Sequence, residues 1–343
     1  MIFSARQLQE KCIEQQKPLF MTFFDLSKAF DSVDRGCLWE ILSRYGCPPK
    51  FINIIRLFHD NMTATVRANG LRSDAFSVET GVKQGCVLAP TLFALFLCAM
   101  LEVAQCRLKP SVSILYRTDG GIFNLRRLQA KSRTHQTAVV EFQFADDSAV
   151  CAHSEAEMQH IIDVFTEAYE RLGLQLNIKK TKVLFQPAPG APEMADPVIR
   201  VHDDPLECVT SFPYLGSHLA SNTYIDSELQ HRISAANCRF GKHRKRICDS
   251  CDLSKETKLF AYQAFVLPVL LYSAETWTFY RRHITQLERF QQRCLRSPHH
   301  LTHPLVREAH QHQRSGECTP TVNRNYDTQV STAVGGACGA DAR

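Results

Sequence analysis

Three acids in the 343-residue sequence stand where carboxylates can work together. Asp25 closes the apolar run Leu19-Phe-Met-Thr-Phe-Phe-Asp25. Asp146 and Asp147 sit between two apolar runs in residues 138–152, AVVEFQFADDSAVCA. Carboxylates converging from two strand ends make a hard oxygen site suited to Mg²⁺. Two such ions can clamp the attacking and leaving oxygens of an in-line phosphoryl transfer. The bland reading is that Asp is common in turns because its side chain hydrogen-bonds nearby backbone. Placement lifts these acids above it: the Asp-Asp pair lies between two apolar strands, and another acid-ended strand lies upstream.

The elements that must carry them can be read around them. The Phe-rich run 19–25 predicts a buried strand that delivers Asp25 at its C-terminal end. Residues 138–152 predict two strands folded about Ala145-Asp-Asp147, with the acids on a tight turn. The clearest helix follows, with Met158, Ile161, Ile162, Phe165, Tyr169 and Leu172 on one face. Ser154 and Glu157 form its capping box, and Gly173 stands at its C-terminal stop. Upstream, 34–45 and 49–60 predict helices parted by the breaker Gly46-Cys-Pro-Pro49. Residues 62–68 and 74–79 flank Ala68-Asn-Gly-Leu71 as a hairpin, and a loop at 80–88 leads into an apolar helix near 91–105. Downstream come a strand at 181–185, a connector with prolines at 187, 189, 192 and 197, and a turn at Phe212-Pro-Tyr-Leu-Gly216. A mainly helical stretch, 223–296, follows, so a boundary is expected near 220.

Composition bounds the rest. Apolar residues at 44% and charged residues at 22% exclude a long disordered polymer. Fifteen Gly and 15 Pro exclude collagen-like and Pro-rich chains. A net charge of +5 is compatible with an acidic polymer as partner without requiring one. Fourteen cysteines without a repeating spacing read as reduced, mostly buried thiols. The uncharged stretches 84–101 and 259–274 each contain Pro and Gln and are short for a span, so buried helices are expected and no membrane. The N-terminus reaches charge before any signal-like run develops, which sets the expectation of an intracellular protein, nuclear or cytoplasmic.

Longer motifs surround the acids. Phe23-Phe-Asp-Leu-Ser-Lys-Ala-Phe-Asp-Ser-Val-Asp34 resembles motif A of the reverse transcriptases of non-LTR (LINE-type) retrotransposons. Gly81-Val-Lys-Gln-Gly-Cys-Val-Leu-Ala-Pro-Thr-Leu-Phe93 resembles motif B, and Phe144-Ala-Asp-Asp147 resembles motif C. Gly173-Leu-Gln-Leu-Asn-Ile-Lys-Lys-Thr-Lys182 resembles motif D, and Phe212-Pro-Tyr-Leu-Gly-Ser217 resembles motif E. The five stand in the family's order.

The resemblance implies an α+β fold: a polymerase palm, an antiparallel sheet backed by helices, followed by a helical thumb. It implies RNA-directed DNA polymerase activity, with an RNA template, a DNA primer and dNTPs as partners. Asp25 and Asp146 would hold two Mg²⁺ ions, with Asp147 beside them and Mn²⁺ as the alternative ion. Phe30 would block a ribose 2′-OH; otherwise it is a core aromatic. Gln84 and Gly85 would contact the incoming nucleotide and template, since Gly permits close backbone approach and Gln offers donor and acceptor. Lys180 would neutralise or protonate the leaving pyrophosphate. Tyr214, Leu215 and Gly216 would grip the primer end. Asp31 and Asp34 read as helix caps.

Arg232, Arg239, Lys242, Arg244, Lys245 and Arg246 follow one another with no acid between. On a helix they would make a basic face able to track phosphates without reading sequence. Cys248-Asp-Ser-Cys251 has zinc-ligand spacing but lacks a second pair. The tail histidines His299, His300, His303, His310 and His312 have no accompanying acid or cysteine geometry.

The family pattern is departed from at both ends. Only 24 residues precede Asp25, so the family's fingers and any endonuclease domain are expected to be missing. Residues 297–343 lose apolar periodicity and read as a disordered tail, with a frameshifted or mis-joined end as its expected origin. The expected organisation is therefore palm with partial fingers over 1–220, thumb-like helices over 221–296, and tail. The alternative to an active polymerase is a retroelement remnant that keeps the palm and at most binds nucleic acid.

Overall fold

The computed structural model describes residues 1–109, 111–117, 132–190, 197–250 and 252–296. The chain starts with helix α1 (Ile2–Glu14) and strand β1 (Leu19–Phe24). Helices α2 (Arg35–Arg44) and α3 (Pro49–His59) follow, parted as expected at Gly46, whose φ is +82°. The next hairpin is reduced to two-residue pairs: β2 (Thr63–Ala64) with β5 (Phe76–Ser77), and β3 (Arg67–Ala68) with β4 (Leu71–Arg72). Helix α4 (Ala89–Gln105) then leads to a ribbon of β6 (Val112–Arg117) and β7 (Thr134–Val139). That ribbon is not evident from the sequence, because 138–139 reads as the start of the next strand. Strands β8 (Glu141–Phe144) and β9 (Asp147–Ala152) form the expected acid-bearing hairpin. Helix α5 (Glu155–Arg171), β10 (Lys182–Gln186), β11 (Arg200–Val201), β12 (Asp204–Pro205) and β13 (Glu207–Val209) complete this part.

The main sheet has the order β13-β10-β1-β9-β8. It is antiparallel except for the β10–β13 pair. All six residues of β1 are buried, as a central strand covered on both faces requires. Side chains alternate between the faces. Phe24 meets Phe165 and Tyr169 of α5 at ring distances of 5.5 and 6.0 Å, and the Thr22 hydroxyl donates to Met158 Sδ at 3.2 Å. On the other face α1 is tied to the sheet, with Gln186 Nε2 donating to the Gln9 carbonyl at 2.9 Å. Ser154 caps α5 by accepting the Glu157 N–H at 3.3 Å, and Gly173 follows with φ +75°.

The chain divides into two compact units: Met1 with Gln7–Thr210, and Ile2–Arg6 with the chain from Ser211 on. The division falls before the expected 220, because the hairpin β14 (Ser211–Tyr214) and β15 (Ser217–Ala220) packs with the helix after it. That helix is α6 (Asp226–His243), continued by a π-helical turn, Arg244–Cys248. Helices α7 (Lys255–Phe265), α8 (Leu267–Leu270) and α9 (Arg281–Leu295) follow. Each unit has its own core: Leu38, Phe93, Phe96, Ile162 and Phe165 in the first, and Leu229, Tyr262, Trp277, Leu287 and Phe290 in the second.

The thiols correct one expectation. Among the described residues the cysteines are free, but only Cys12, Cys151 and Cys294 are buried, while Cys98, Cys106 and Cys238 are exposed. Cys98 and Cys106 fall on the outer side of α4 and just past its end, away from the core-facing Phe93, Phe96, Leu97 and Met100. Cys251, the five tail histidines and the whole 297–343 tail lie outside the described residues.

Candidate active site

Strand register brings the chemistry together. Phe24 on β1 pairs with Ser148 on β9, and Phe23 pairs with Lys182 on β10. Continued past the strand end, the same register puts Asp25 across from Asp147 on one side and Lys180 on the other. Lys180 Nζ lies 3.5 Å from Asp25 Oδ2. The charges of Asp146 and Asp25 both bear on Asp147: burial first, then Asp146, then Asp25, push its carboxyl above the usual range.

The backbone on both sides is fixed. The Asp25 N–H donates to Thr181 Oγ1 at 3.3 Å, and the Asp25 carbonyl accepts the Asn177 N–H at 2.8 Å. Ser27 N–H donates to the Gln175 carbonyl at 2.8 Å. Thr181 is fully buried. On the hairpin, the two-residue loop is Ala145-Asp146, with Ala145 at φ +53° and no positive φ at Asp146. A positive φ at the first loop position alone is the II′ pattern, which suits the twist of the flanking strands. Gln143 braces this loop, donating to the Ala145 carbonyl and accepting from Ser148 Oγ, each at 2.5 Å. Asn177 and Thr181 lie inside the motif D segment without a role that their types alone reveal, and only adjacency to the acids marks Gln143.

A second set of contacts stitches the 80–82 loop to the segment after Asp25. Val82 N–H donates to the Phe30 carbonyl and Gly81 N–H to the Val33 carbonyl, both at 2.8 Å. Arg35 donates to the carbonyls of Gly81, His59 and Thr80 at 2.9, 2.8 and 3.2 Å. A Cβ on Gly81 would stand 2.6 Å from the Asp31 backbone, and its φ is +82°, so glycine is required twice over. Phe30 is half-buried and stacked on Phe93 of α4, ring centroids 4.4 Å apart. Phe93 is thus the side chain that orients Phe30. Gln84 and Gly85 are exposed; Gly85 has φ +88° with open space where a Cβ would be. Asp34 caps α2 through the Cys37 N–H at 2.6 Å, as expected of it.

Within the second unit, Leu215 and Gly216 both have positive φ, +48° and +77°, the type I′ pattern. Two expectations are corrected there. Tyr214 is 2% exposed, so its ring is part of the unit's interior. Arg232 is buried: its Nε donates to Glu228 Oε1 at 2.7 Å, its Nη2 to the Gly216 carbonyl, and its guanidinium lies 4.5 Å from the Tyr272 ring centre. Glu228, itself fully buried, also accepts the His218 N–H at 2.5 Å. Arg232 therefore braces the 215–216 turn and is no part of an exposed basic face. Arg239, Lys242, Arg244, Lys245 and Arg246 are exposed, with Arg244 Nε 3.7 Å from Asp249.

The residues fit a divalent cation in their chemistry. Asp25 Oδ2 is shielded from solvent and accepts no hydrogen bond among the described residues. Asp147 is held against two like charges that a cation would offset. Among the described residues no three His, Cys, Asp or Glu side chains are gathered closely enough to enclose an ion.

The profile of the family described as reverse transcriptase (RNA-dependent DNA polymerase) matches residues 2–219, well over half of the chain. The chain belongs to the reverse transcriptase family. A retrovirus-related Pol polyprotein from a type-1 retrotransposable element R2 of Bradysia coprophila is 27% identical over 169 residues, 49% of this chain and 17% of that protein. An RNA-directed DNA polymerase from the mobile element jockey of Drosophila funebris is 25% identical over 304 residues, 83% of this chain and 29% of that protein. The chain thus spans less than a third of the length of these two relatives. They are non-LTR retrotransposon proteins, so the family resemblance carried by the five motifs holds. A solved structure of telomerase from Candida tropicalis, in complex with a fragment of telomeric RNA, matches with a TM-score of 0.42 and 14% identity, over 84% of this chain and 46% of that one. Reverse transcriptases generally work with divalent metal ions. No helix among the described residues is long and apolar enough to cross a membrane.

Proposed function

We propose that this chain performs RNA-templated DNA synthesis at the end of β1. The observation that carries the reading is Asp25 flanked by Asp147 and by Lys180 at 3.5 Å, at the ends of three adjoining strands of one sheet. In the reaction the primer 3′-OH forms a bond to the α-phosphate of a dNTP, and the bond to pyrophosphate breaks. Asp25 and Asp146 would hold two Mg²⁺ ions, or Mn²⁺ in their stead, with Asp147 adjoining. Bound there, such ions activate the attacking oxygen and offset charge on the leaving one.

The chain's own residues do the rest. Asp25 is kept rigid by Thr181 and Asn177, and Asp146 by the braced II′ turn. Lys180 is two-thirds exposed and free to turn toward the departing pyrophosphate, to which it would give a proton. Phe30, backed by Phe93, would exclude a ribose 2′-OH from the nucleotide. Gln84 and the backbone at Gly85 would meet the base pair being formed. The backbone of Leu215 and Gly216 would meet the primer end. Arg239, Lys242, Arg244, Lys245 and Arg246 would track phosphates of the template–primer duplex.

Primer extension on poly(rA)/oligo(dT) tests this. Wild-type chain should extend the primer only with a divalent cation present. Asp25→Asn and Asp146→Asn should each lose it by roughly two orders of magnitude or more. Wild-type product from Asp146→Asn would defeat the assignment.

A further inference from the structure

A second basic surface lies outside the run at 232–246. Helix α9 and the residue that closes it carry Arg281, Arg282, Arg289, Arg293 and Arg296 against one acid, Glu288. Four of these arginines make a stripe. At about 100° per residue, Arg282, Arg289, Arg293 and Arg296 fall within roughly 60° of one another, and at ~1.5 Å rise they span ~21 Å. All four are exposed. The core-facing residues of the same helix, His283, Leu287, Phe290 and Cys294, follow a separate stripe, so the arginine face cannot rotate inward.

The N-terminal end of the stripe carries an aromatic platform. Tyr224 and Tyr280 are each 48% exposed, with ring centres 6.4 Å apart and planes at 65°. The Arg282 guanidinium lies 5.8 Å from the Tyr224 ring centre and 5.6 Å from that of Tyr280. It is pinned there by Asp226 Oδ2 at 2.8 Å, while His283, buried under it, reaches Asp226 Oδ1 at 3.1 Å. Arg293 is held too, donating to Asn237 Oδ1 at 3.3 Å. Two large apolar rings are thus kept at the surface, beside a fixed cation, at the head of a row of positive charges. Bases inside a duplex keep their faces in the stack, whereas the bases of a single strand can lay theirs on a tyrosine ring.

We propose that α9 and its tyrosine platform form a binding site for single-stranded nucleic acid, with phosphates along Arg282, Arg289, Arg293 and Arg296 and a base stacked on Tyr224 or Tyr280. The site rests on the polymerase reading only in that both take nucleic acid as partner. The RNA and DNA forms share the chemistry of phosphate and base face.

The test uses the full chain without dNTP. Anisotropy of a labelled 12-nucleotide RNA, its DNA counterpart and the matching duplex is followed against salt. Arg289→Gln/Arg296→Gln should lower the slope of log affinity against log salt by about 1.4. Tyr224→Leu/Tyr280→Leu should weaken single-strand binding roughly 5- to 150-fold while the slope holds. The tighter of RNA and DNA identifies the source of the strand, and either is the proposed class. Circular dichroism separates misfolded variants, for which Tyr224→Phe/Tyr280→Phe, which keeps the rings, should restore affinity. An unchanged slope, an unchanged affinity in the leucine variant, an equal loss of duplex affinity in that variant, or displacement by polyglutamate would each overturn the site. Primer extension by the wild-type chain is assayed separately from these binding curves, so that failure of polymerisation and failure of this site are read apart.

Discussion

Phe30 and Phe93 are stacked 4.4 Å apart, so the proposed nucleotide gate is a pair of rings rather than one residue. Phe30→Ala should therefore raise incorporation of ribonucleotides relative to deoxynucleotides, roughly 10- to 200-fold in kcat/KM ratio. Single-nucleotide insertion kinetics would measure it, and an unchanged ratio would remove Phe30 from that role. Asp147 makes a second prediction. Its carboxyl titrates above the ordinary range, because burial and the charges of Asp146 and Asp25 disfavour ionisation. The folded chain thus keeps a proton that the unfolded chain has lost, and stability falls as pH climbs from about 4 through the raised value. Asp147→Asn removes that penalty. In chelator at pH 7 it should melt above wild type, with the gap closing below about pH 4. A gap independent of pH would contradict the repulsion. At this scale strand patterning puts Asp25 and the Asp146-Asp147 pair at strand ends, whereas Lys180 stands out from Lys179 and Lys182 only through the motif D resemblance. The burial of Arg232 was not legible in the sequence: whether an arginine is buried depends on its partner, here Glu228, whose own burial is set by backbone contacts at 216–218 that no helical pattern reveals.

Between elements, the decisive joint is the 80–82 loop laid on residues 30–35. Gly81 allows it, with a positive φ and no room for a Cβ. Gly81→Ala must displace the Asp31 backbone, and should cost more than about 1 kcal/mol of stability. Because Val82 and Phe30 are hydrogen-bonded across the same joint, KM for dNTP should rise together with the loss in melting temperature. A variant that melts lower but keeps its KM would show that the joint does not position the nucleotide side. The helices and the acid hairpin were readable from periodicity and caps, as at Ser154 and Gly173. The β6–β7 ribbon was not, because Thr134–Val139 is mostly polar and its partner's identity is a long-range choice. The short pairs β2–β5 and β3–β4 show the same limit: the Asn69-Gly70 turn was clear, while the extent of pairing on either side was not.

Two cores, one around Phe165 and one around Phe290, predict that the chain unfolds as two cooperative blocks rather than one. Phe165→Ala and Phe290→Ala should each cost about 3–5 kcal/mol, but to different blocks. Hydrogen exchange should report the first loss in β1, β9 and α5 and the second in α6 and α9. Uniform loss of protection from either variant would mean a single folding unit. The sequence pointed to a change of character near 220, yet the second block also claims Ile2–Arg6, which no local pattern suggests. Arg6 donates to Ser217 Oγ at 3.1 Å and to the His218 carbonyl at 3.0 Å, across 211 and 212 residues of chain. On a ribosome moving at about 5–20 residues per second, that guanidinium emerges roughly 10–40 s before its partners do. The first turn of the first helix is thus among the last pieces to find its seat, and until then a nascent chain holds it out for any chaperone or protease that arrives sooner.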